Sequence, residues 1–108
     1  MNIQELQWFL KRCDTRIKIK YGAVESPVEN ALWSFTKLAE EVGELAEQIH
    51  KRRWRQDPRK GEFKLEDLED ELADVIFAAS MLSVDFNIDL EKALLRKKAK
   101  IEKKLSKV

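Results

Sequence analysis

The segment SPVENALWSFTKLAEEVGELAEQIHKRRW (residues 26–54) decides the fold. Ser26, followed by Pro27 and Glu29, predicts a helix start, because serine caps helix N-termini and proline suits the first helical position. Apolar residues then follow a near-heptad pattern, typical of a helix with one apolar face. They are Val28, Leu32, Phe35, Ala39, Val42, Ala46 and Ile49. The segment ends in basic residues, which the helix dipole favours. It therefore predicts one long helix that runs to about Trp54.

Helices are also predicted on both sides of this segment. Asn2 can cap a first helix, with Glu5 completing a capping box, and that helix ends near Tyr21-Gly22-Ala23. Residues 56–61 predict a loop, and a third helix starts near Lys64. We expect its buried stripe to consist of Leu65, Leu68, Leu72, Val75, Ile76, Ala79, Leu82 and Phe86.

A fourth, lysine-rich helix is predicted after Asp89, which can act as its cap. Four helices with short connections predict an all-α fold, a small four-helix bundle in a single domain over residues 1–108. Residues 75–79 are apolar on every side, as in a helix at the centre of a bundle or against a second subunit. Because a chain of 108 residues buries only a small core, we expect oligomerisation, as a homodimer or a dimer of dimers, to complete it.

Composition excludes several classes of protein. The net charge of +1 gives no support to a nucleic-acid partner, and three glycines with two prolines are too few for an all-β fold. No apolar run is long enough to cross a bilayer, so no membrane partner is expected. Cys13 is the single cysteine and cannot form an internal disulfide, and no signal peptide is visible, which favours a cytoplasmic protein.

Two pairs of acidic residues carry the chemistry of the chain. Glu41 and Glu44 lie on the second predicted helix, and Glu71 and Asp74 lie on the third. A spacing of three puts both carboxylates of a pair on one helix face, and antiparallel packing would bring the two pairs together. Like charges at such distances repel unless a cation lies among them, which favours a hard divalent ion: Mg²⁺, with Mn²⁺ as the alternative. The simpler alternative is that both acidic faces are only solvated helix surfaces.

The segment Leu38-Ala39-Glu40-Glu41-Val42-Gly43-Glu44-Leu45, followed by Glu71-Leu72-Ala73-Asp74, resembles the motif of the MazG family of nucleoside triphosphate pyrophosphohydrolases. The resemblance runs from about Leu32 to Lys100. It implies an all-α, oligomeric enzyme that hydrolyses nucleoside or deoxynucleoside triphosphates to the monophosphate and pyrophosphate. It also implies that Glu41, Glu44, Glu71 and Asp74 are the catalytic residues and hold the Mg²⁺.

Cations near these acids would bind the phosphates of the substrate. Lys37 shares the helix face of Glu41 and Glu44, where a salt bridge to Glu41 is an equally good interpretation. Lys97 and Lys100 match substrate-binding lysines of the family by position. Ile101 stands where the family has an asparagine, which leaves the contact made by that residue, and the choice of substrate, undefined.

The sequence thus predicts a Mg²⁺-dependent pyrophosphohydrolase with a house-cleaning role in the nucleotide pool. The rival hypothesis is a non-enzymatic helical dimer that binds a protein partner and whose acids serve only solubility. The basic cluster at residues 51–55 is interpreted as helix-end charge, with nucleotide or nucleic-acid contact as the alternative. Trp8 and Trp33 could stack on a base, but at these spacings we expect them in the core.

Overall fold

The computed structural model of the protein describes residues 1–21, 26–54, 59 and 61–108, with side chains of the first helix described as far as Cys13. These residues form four α-helices and no strand, which confirms the predicted all-α fold. The helices are α1 (Ile3–Tyr21), α2 (Pro27–Arg53), α3 (Leu65–Asp85) and α4 (Leu90–Leu105). The predicted end of the first helix at Gly22-Ala23 and most of the predicted loop at 56–61 lie outside the described residues. No helix in the described ranges is both long and apolar enough to cross a membrane.

Side-chain caps fix three of the four helix starts, as predicted. The backbone N–H of Glu5 donates to Asn2 Oδ1 at 2.8 Å. The N–H of Glu29 donates to Ser26 Oγ at 3.2 Å, directly before Pro27 at the first helical position. Asp89 caps α4 in the same way, through the N–H of Lys92 at 3.1 Å. Each cap satisfies an N–H that the helix itself leaves unpaired, which is why these short signals locate the helix starts.

The main packing contact joins α2 to α3. The two helices lie antiparallel, since Ser34 near the start of α2 donates its hydroxyl hydrogen to Asp85 at the end of α3. On its other side α3 packs against α1, where the rings of Phe9 and Phe77 meet edge to face with centroids 6.2 Å apart. Helix α4 lies at the periphery of the α2–α3 packing, because its main contact is with α1.

Gln7 joins three helices at one end of the molecule. Its Nε2 donates to Ser83 Oγ at 2.9 Å and to the carbonyl oxygen of Ile88 at 2.7 Å. Its Oε1 accepts from the backbone N–H of Leu90 at 3.2 Å. One side chain thus holds α1 against the turn between α3 and α4, although no sequence pattern identifies Gln7 for this role.

The apolar faces of α2 and α3 do not form the core of the protomer, which corrects the predicted burial. On α2, Val28, Leu32 and Phe35 are each 58% exposed. On α3, the predicted buried residues Leu72 and Ile76 are about half exposed. Leu65, Ala79 and Phe86 are exposed as well, whereas Leu68, Val75 and Leu82 are half-buried. The periodicity correctly predicts apolar faces, but α2 and α3 contact each other along neighbouring faces instead.

The protomer is expanded for its length. Its radius of gyration is 17.3 Å, whereas a compact domain of this length has about 13 Å. Its accessible surface is 8799 Å², against about 6,200 Å² for a globular monomer of the same mass. The excess surface agrees with the exposure of the apolar faces of α2 and α3.

Candidate metal centre

The contact between α2 and α3 contains polar residues near its centre. Ala31, Ser34 and Glu41 are the buried residues of α2, and Glu41 is only 6% exposed. On α3, Glu71 is half-buried. We call this contact the acid seam, defined by Ser34, Glu41, Glu44 and Gln48 on α2 and by Asp67, Glu71, Asp74 and Asp85 on α3.

Three carboxylates of the acid seam converge. Glu41, Glu44 and Glu71 each place one oxygen so that all three oxygens lie within 4.8 Å of one another. Glu41 and Glu44 come from adjacent turns of α2, and Glu71 comes from the facing turn of antiparallel α3. The predicted meeting of the two helices at their acidic faces is therefore found for three of the four acids.

Burial and charge make Glu71 an unusual acid. Removal from water is the main cause that raises the pKa of Glu71 above the ordinary carboxyl value of 4.5, and the negative charge of Glu44 is the next. A hydrogen bond to Glu44 and the charges of Asp74 and Glu41 act in the same direction. Because Glu71 can donate this bond only when protonated, the bond stabilises the protonated form of Glu71.

Two oxygens of this group lack any partner. Glu41 Oε2 and Glu71 Oε2 are sealed from solvent and accept no hydrogen bond in the described part of the chain. A buried acceptor without a donor is unfavourable, and a buried carboxylate without a counter-charge is more so. The arrangement therefore suits an occupant that brings positive charge.

The ammonium group of Lys37 provides part of this positive charge. Its Nζ lies 3.1 Å from Glu41 Oε1 and 3.7 Å from Glu40 Oε2. The hydrogen bond to Glu41 and the charge of that carboxylate raise the pKa of Lys37 above its ordinary value. The salt bridge to Glu41, which the sequence offered as the alternative to a phosphate contact, is present, while the second oxygen of Glu41 accepts no hydrogen bond from the described residues.

The other predicted site residues lie at the margin or away from the group. Asp74 is exposed and is not part of the convergent set, although its charge acts on Glu71. Lys97 and Lys100 are exposed on α4, which packs mainly against α1 rather than against the acid seam. The protomer thus brings Lys37 to the acids but does not bring α4 to them.

The aromatic and basic candidates lie elsewhere. Trp8 and Trp33 are 66% and 77% exposed, so the expectation of core positions is wrong for both. In the basic cluster, the guanidinium of Arg53 lies 4.9 Å from the ring centroid of Trp54, an exposed stacking contact. Arg55 lies outside the described residues.

The convergent acids fit a hard divalent cation. Mg²⁺ and Mn²⁺ prefer oxygen ligands, and three carboxylates offer these without any nitrogen or sulfur donor. The second indication of a cation site is that Glu41 Oε2 and Glu71 Oε2 are buried acceptors that no described donor reaches. Gln48 adds a third orphaned oxygen. Sequence reasoning gave Gln48 no role, although its spacing of four from Glu44 placed it on the same helix face.

Comparison with known proteins agrees with this geometry. The MazG nucleotide pyrophosphohydrolase domain matches residues 33–108, a range that contains the acid seam from Ser34 onwards together with all of α3 and α4. No curated protein and no solved structure shows a significant match to the chain. Members of the MazG family generally depend on a divalent metal, in keeping with the acidic cluster. Because the match covers most of the chain, this protein belongs to the MazG nucleotide pyrophosphohydrolase family.

Proposed function

We propose that this protein hydrolyses nucleoside and deoxynucleoside triphosphates to the monophosphate and pyrophosphate, with Mg²⁺ or Mn²⁺ bound by Glu41, Glu44, Glu71 and Asp74. The main support for the proposal is that three carboxylate oxygens, one each from Glu41, Glu44 and Glu71, lie within 4.8 Å of one another. In addition, Glu41 and Glu71 each have a buried oxygen that accepts no hydrogen bond from the described residues. Family membership supports the reaction class. Residues 1–108 would act as a single MazG-like domain.

The acids have separate tasks in this proposal. When bound, the divalent ion would neutralise phosphate oxygens and make water a better nucleophile at neutral pH. Glu41 is buried and paired with Lys37, which fixes the position of its carboxylate at the metal site. Glu44 is exposed, so its carboxylate is the better placed of the two to accept a proton from an attacking water. The protonated form of Glu71 has to lose its proton before Glu71 can bind a cation.

Lys37, Lys97 and Lys100 are the proposed contacts to the phosphates of the substrate. Lys37 is 60% exposed, which leaves its ammonium group able to move from Glu41 to a substrate phosphate. For Lys97 and Lys100 the support is the basic character of α4 and their position in the family pattern. Base and sugar preference are not part of the proposal.

A homodimer, alone or as half of a dimer of dimers, would cover what we call the apolar face. This face comprises Val28, Leu32, Phe35, Ala39, Val42, Ala46 and Ile49 on α2, with Leu65, Leu72, Ile76, Ala79 and Phe86 on α3. By helical phase both sets lie on the same open side of the antiparallel pair, opposite Glu44 and Asp74. The excess surface of the protomer is of the size that a stable homodimer buries.

The test is a screen of purified protein against a panel of NTPs and dNTPs, with pyrophosphate release as the readout and EDTA as the control. We expect metal-dependent release from at least one substrate, lost on Glu71→Gln. Release that persists in EDTA, or that is unchanged in Glu71→Gln, would contradict the proposal. A nucleotide-pool role in the cytoplasm is the biological setting we propose, and the free Cys13 is compatible with it.

A second candidate function is a non-enzymatic helical dimer that binds a protein partner. The exposed apolar face favours it, because contiguous apolar surface marks interaction sites. Under this hypothesis Glu71→Gln leaves partner binding and oligomeric state unchanged, and no metal dependence exists to be lost.

A further inference from the structure

Buried oxygens that lack a hydrogen-bond donor point to one further residue of the acid seam, Gln48. In the part of the chain that the structure describes, the buried side-chain nitrogen and oxygen atoms without a hydrogen-bond partner are Glu41 Oε2, Gln48 Oε1 and Glu71 Oε2. All three are oxygens, and all three belong to the acid seam. Two are carboxylate oxygens of the convergent group, whereas the third belongs to a neutral amide.

The register of the antiparallel pair locates Gln48. Ser34 pairs with Asp85, and nearly three turns further along α2 Glu44 meets Glu71. Gln48 follows Glu44 by four residues, one helical turn on the same face. The same progression along α3 runs from Glu71 back to Asp67, so Gln48 lies at the level of these two acids.

Among the described residues, no group donates a hydrogen bond to Gln48 Oε1. Lys37 is engaged with Glu40 and Glu41 and precedes Gln48 by about three turns of α2. The register therefore places Gln48 at the level of acids on α3, and its amide oxygen is left without a described donor. A second acceptor beside carboxylates does not relieve their repulsion, whereas a positive occupant between them would bind both kinds of oxygen.

Amide oxygens are good ligands for hard divalent ions, which take carbonyl oxygens of Asn and Gln alongside carboxylates. A neutral ligand extends the coordination of the ion without adding to the repulsion among the acids. We propose that Gln48 Oε1 belongs to the divalent-cation site and binds the ion together with Glu41, Glu44 and Glu71. This inference rests on the proposed function, since it concerns the same ion.

The experiment measures Mn²⁺ binding to the metal-free full chain by calorimetry, with Mn²⁺ electron paramagnetic resonance as a second readout. Gln48→Leu keeps the volume of the side chain and removes its oxygen, and Gln4→Leu is the matched control at an exposed glutamine on α1. We expect Gln48→Leu to raise the Mn²⁺ Kd about tenfold, the lower end for losing a residue that supports a metal site. Gln4→Leu should leave the Kd within about twofold.

Gln48→Glu supplies a second, independent measurement. It places a charged oxygen at the same point, so we expect tighter Mn²⁺ binding and a lower Tm without metal. Should Gln48→Leu fail to fold, Gln48→Glu decides: a lower Kd supports the inference, and an unchanged or higher Kd overturns it.

The outcomes separate the two proposals. If the native protein binds Mn²⁺, Glu71→Gln abolishes binding and Gln48→Leu matches Gln4→Leu, the role of Gln48 is refuted and the proposed function stands. If the native protein binds no Mn²⁺, both fall. If Gln48→Leu weakens binding as expected while Gln4→Leu does not, Gln48 belongs to the site.

Discussion

The two open sides of the α2–α3 pair differ in chemistry, yet both are incomplete. On one side Glu41, Glu44 and Glu71 crowd their carboxylates together with part of that charge buried. On the other side Val42 and Ile76 leave about half of their apolar surface in water. Buried charge and exposed apolar surface both cost free energy in an isolated protomer. The acidic side therefore suits a cation, whereas the apolar side suits a second apolar surface.

The largest expected effect comes from breaking the acidic side. Glu41→Gln removes a buried carboxylate charge, so pyrophosphate release should fall by at least about a hundredfold, beyond the usual loss for residues that only support a metal site. Glu47→Gln is the matched control, because Glu47 is an exposed glutamate on the same helix. Steady-state assays of both variants check this. Equal activities in the two would show that position 41 carries no special role.

Next comes the apolar side. Val42→Glu would place two charges in a dimer interface with no water to solvate them, so the dimer Kd should rise by about a hundredfold or more. Thr36→Glu, at an exposed position of α2 outside the apolar face, should leave the Kd unchanged. Sedimentation equilibrium measures both. A native protein that is monomeric at all concentrations would remove the need for a partner at this face.

A smaller effect is expected from pH. Because the folded pKa of Glu71 is raised, the native state holds this proton more tightly than the unfolded state does. Stability without metal should therefore fall as pH rises from the ordinary carboxyl value of 4.5 through the raised value. Thermal unfolding across this range should show the fall in the native protein and less of it in Glu71→Gln. Parallel curves for the two proteins would contradict the assignment.

The proton on Glu71 should also compete with the binding of the metal ion. Below the raised pKa of Glu71 a cation has to displace one proton, so the Mn²⁺ Kd should rise about tenfold for each pH unit of acidification. Calorimetry in buffers of different ionisation enthalpy measures the proton released on binding. Binding without proton release in this range would place the ion away from Glu71.

The smallest expected effect concerns Lys37. Lys37→Met removes a cation that competes for Glu41, so Mn²⁺ should bind a few-fold more tightly. If Lys37 also contacts substrate phosphates, the KM for the triphosphate should rise in the same variant. Lys98→Met is the control, since Lys98 forms a pair at the same i,i+4 spacing with the exposed Glu102 on α4. An unchanged KM in Lys37→Met would show that Lys37 forms its salt bridge but does not contact the substrate.

The helix starts were predictable because their signals are local. Asn2, Ser26 and Asp89 each bond an N–H three residues ahead, so the sequence neighbours alone determine the cap. The acid seam was predictable for Glu41, Glu44 and Glu71, because helical spacing and antiparallel order together bring them to one place.

Burial was not predictable to the same extent. The near-heptad pattern around Val42 indicates an apolar face but not which surface covers it, and in the protomer α3 packs beside that face instead. Trp8 and Trp33 were expected inside for the same reason and are exposed. The orphaned oxygen of Gln48 needs atomic positions, since its spacing alone cannot show whether a donor reaches it.

A crystal structure grown with Mn²⁺ would show whether the acid seam holds a divalent ion. We expect an anomalous peak within about 2.0–2.6 Å of carboxylate oxygens from Glu41, Glu44 and Glu71. A well-ordered structure at saturating Mn²⁺ in which these side chains point apart, with no anomalous peak between them, would contradict it.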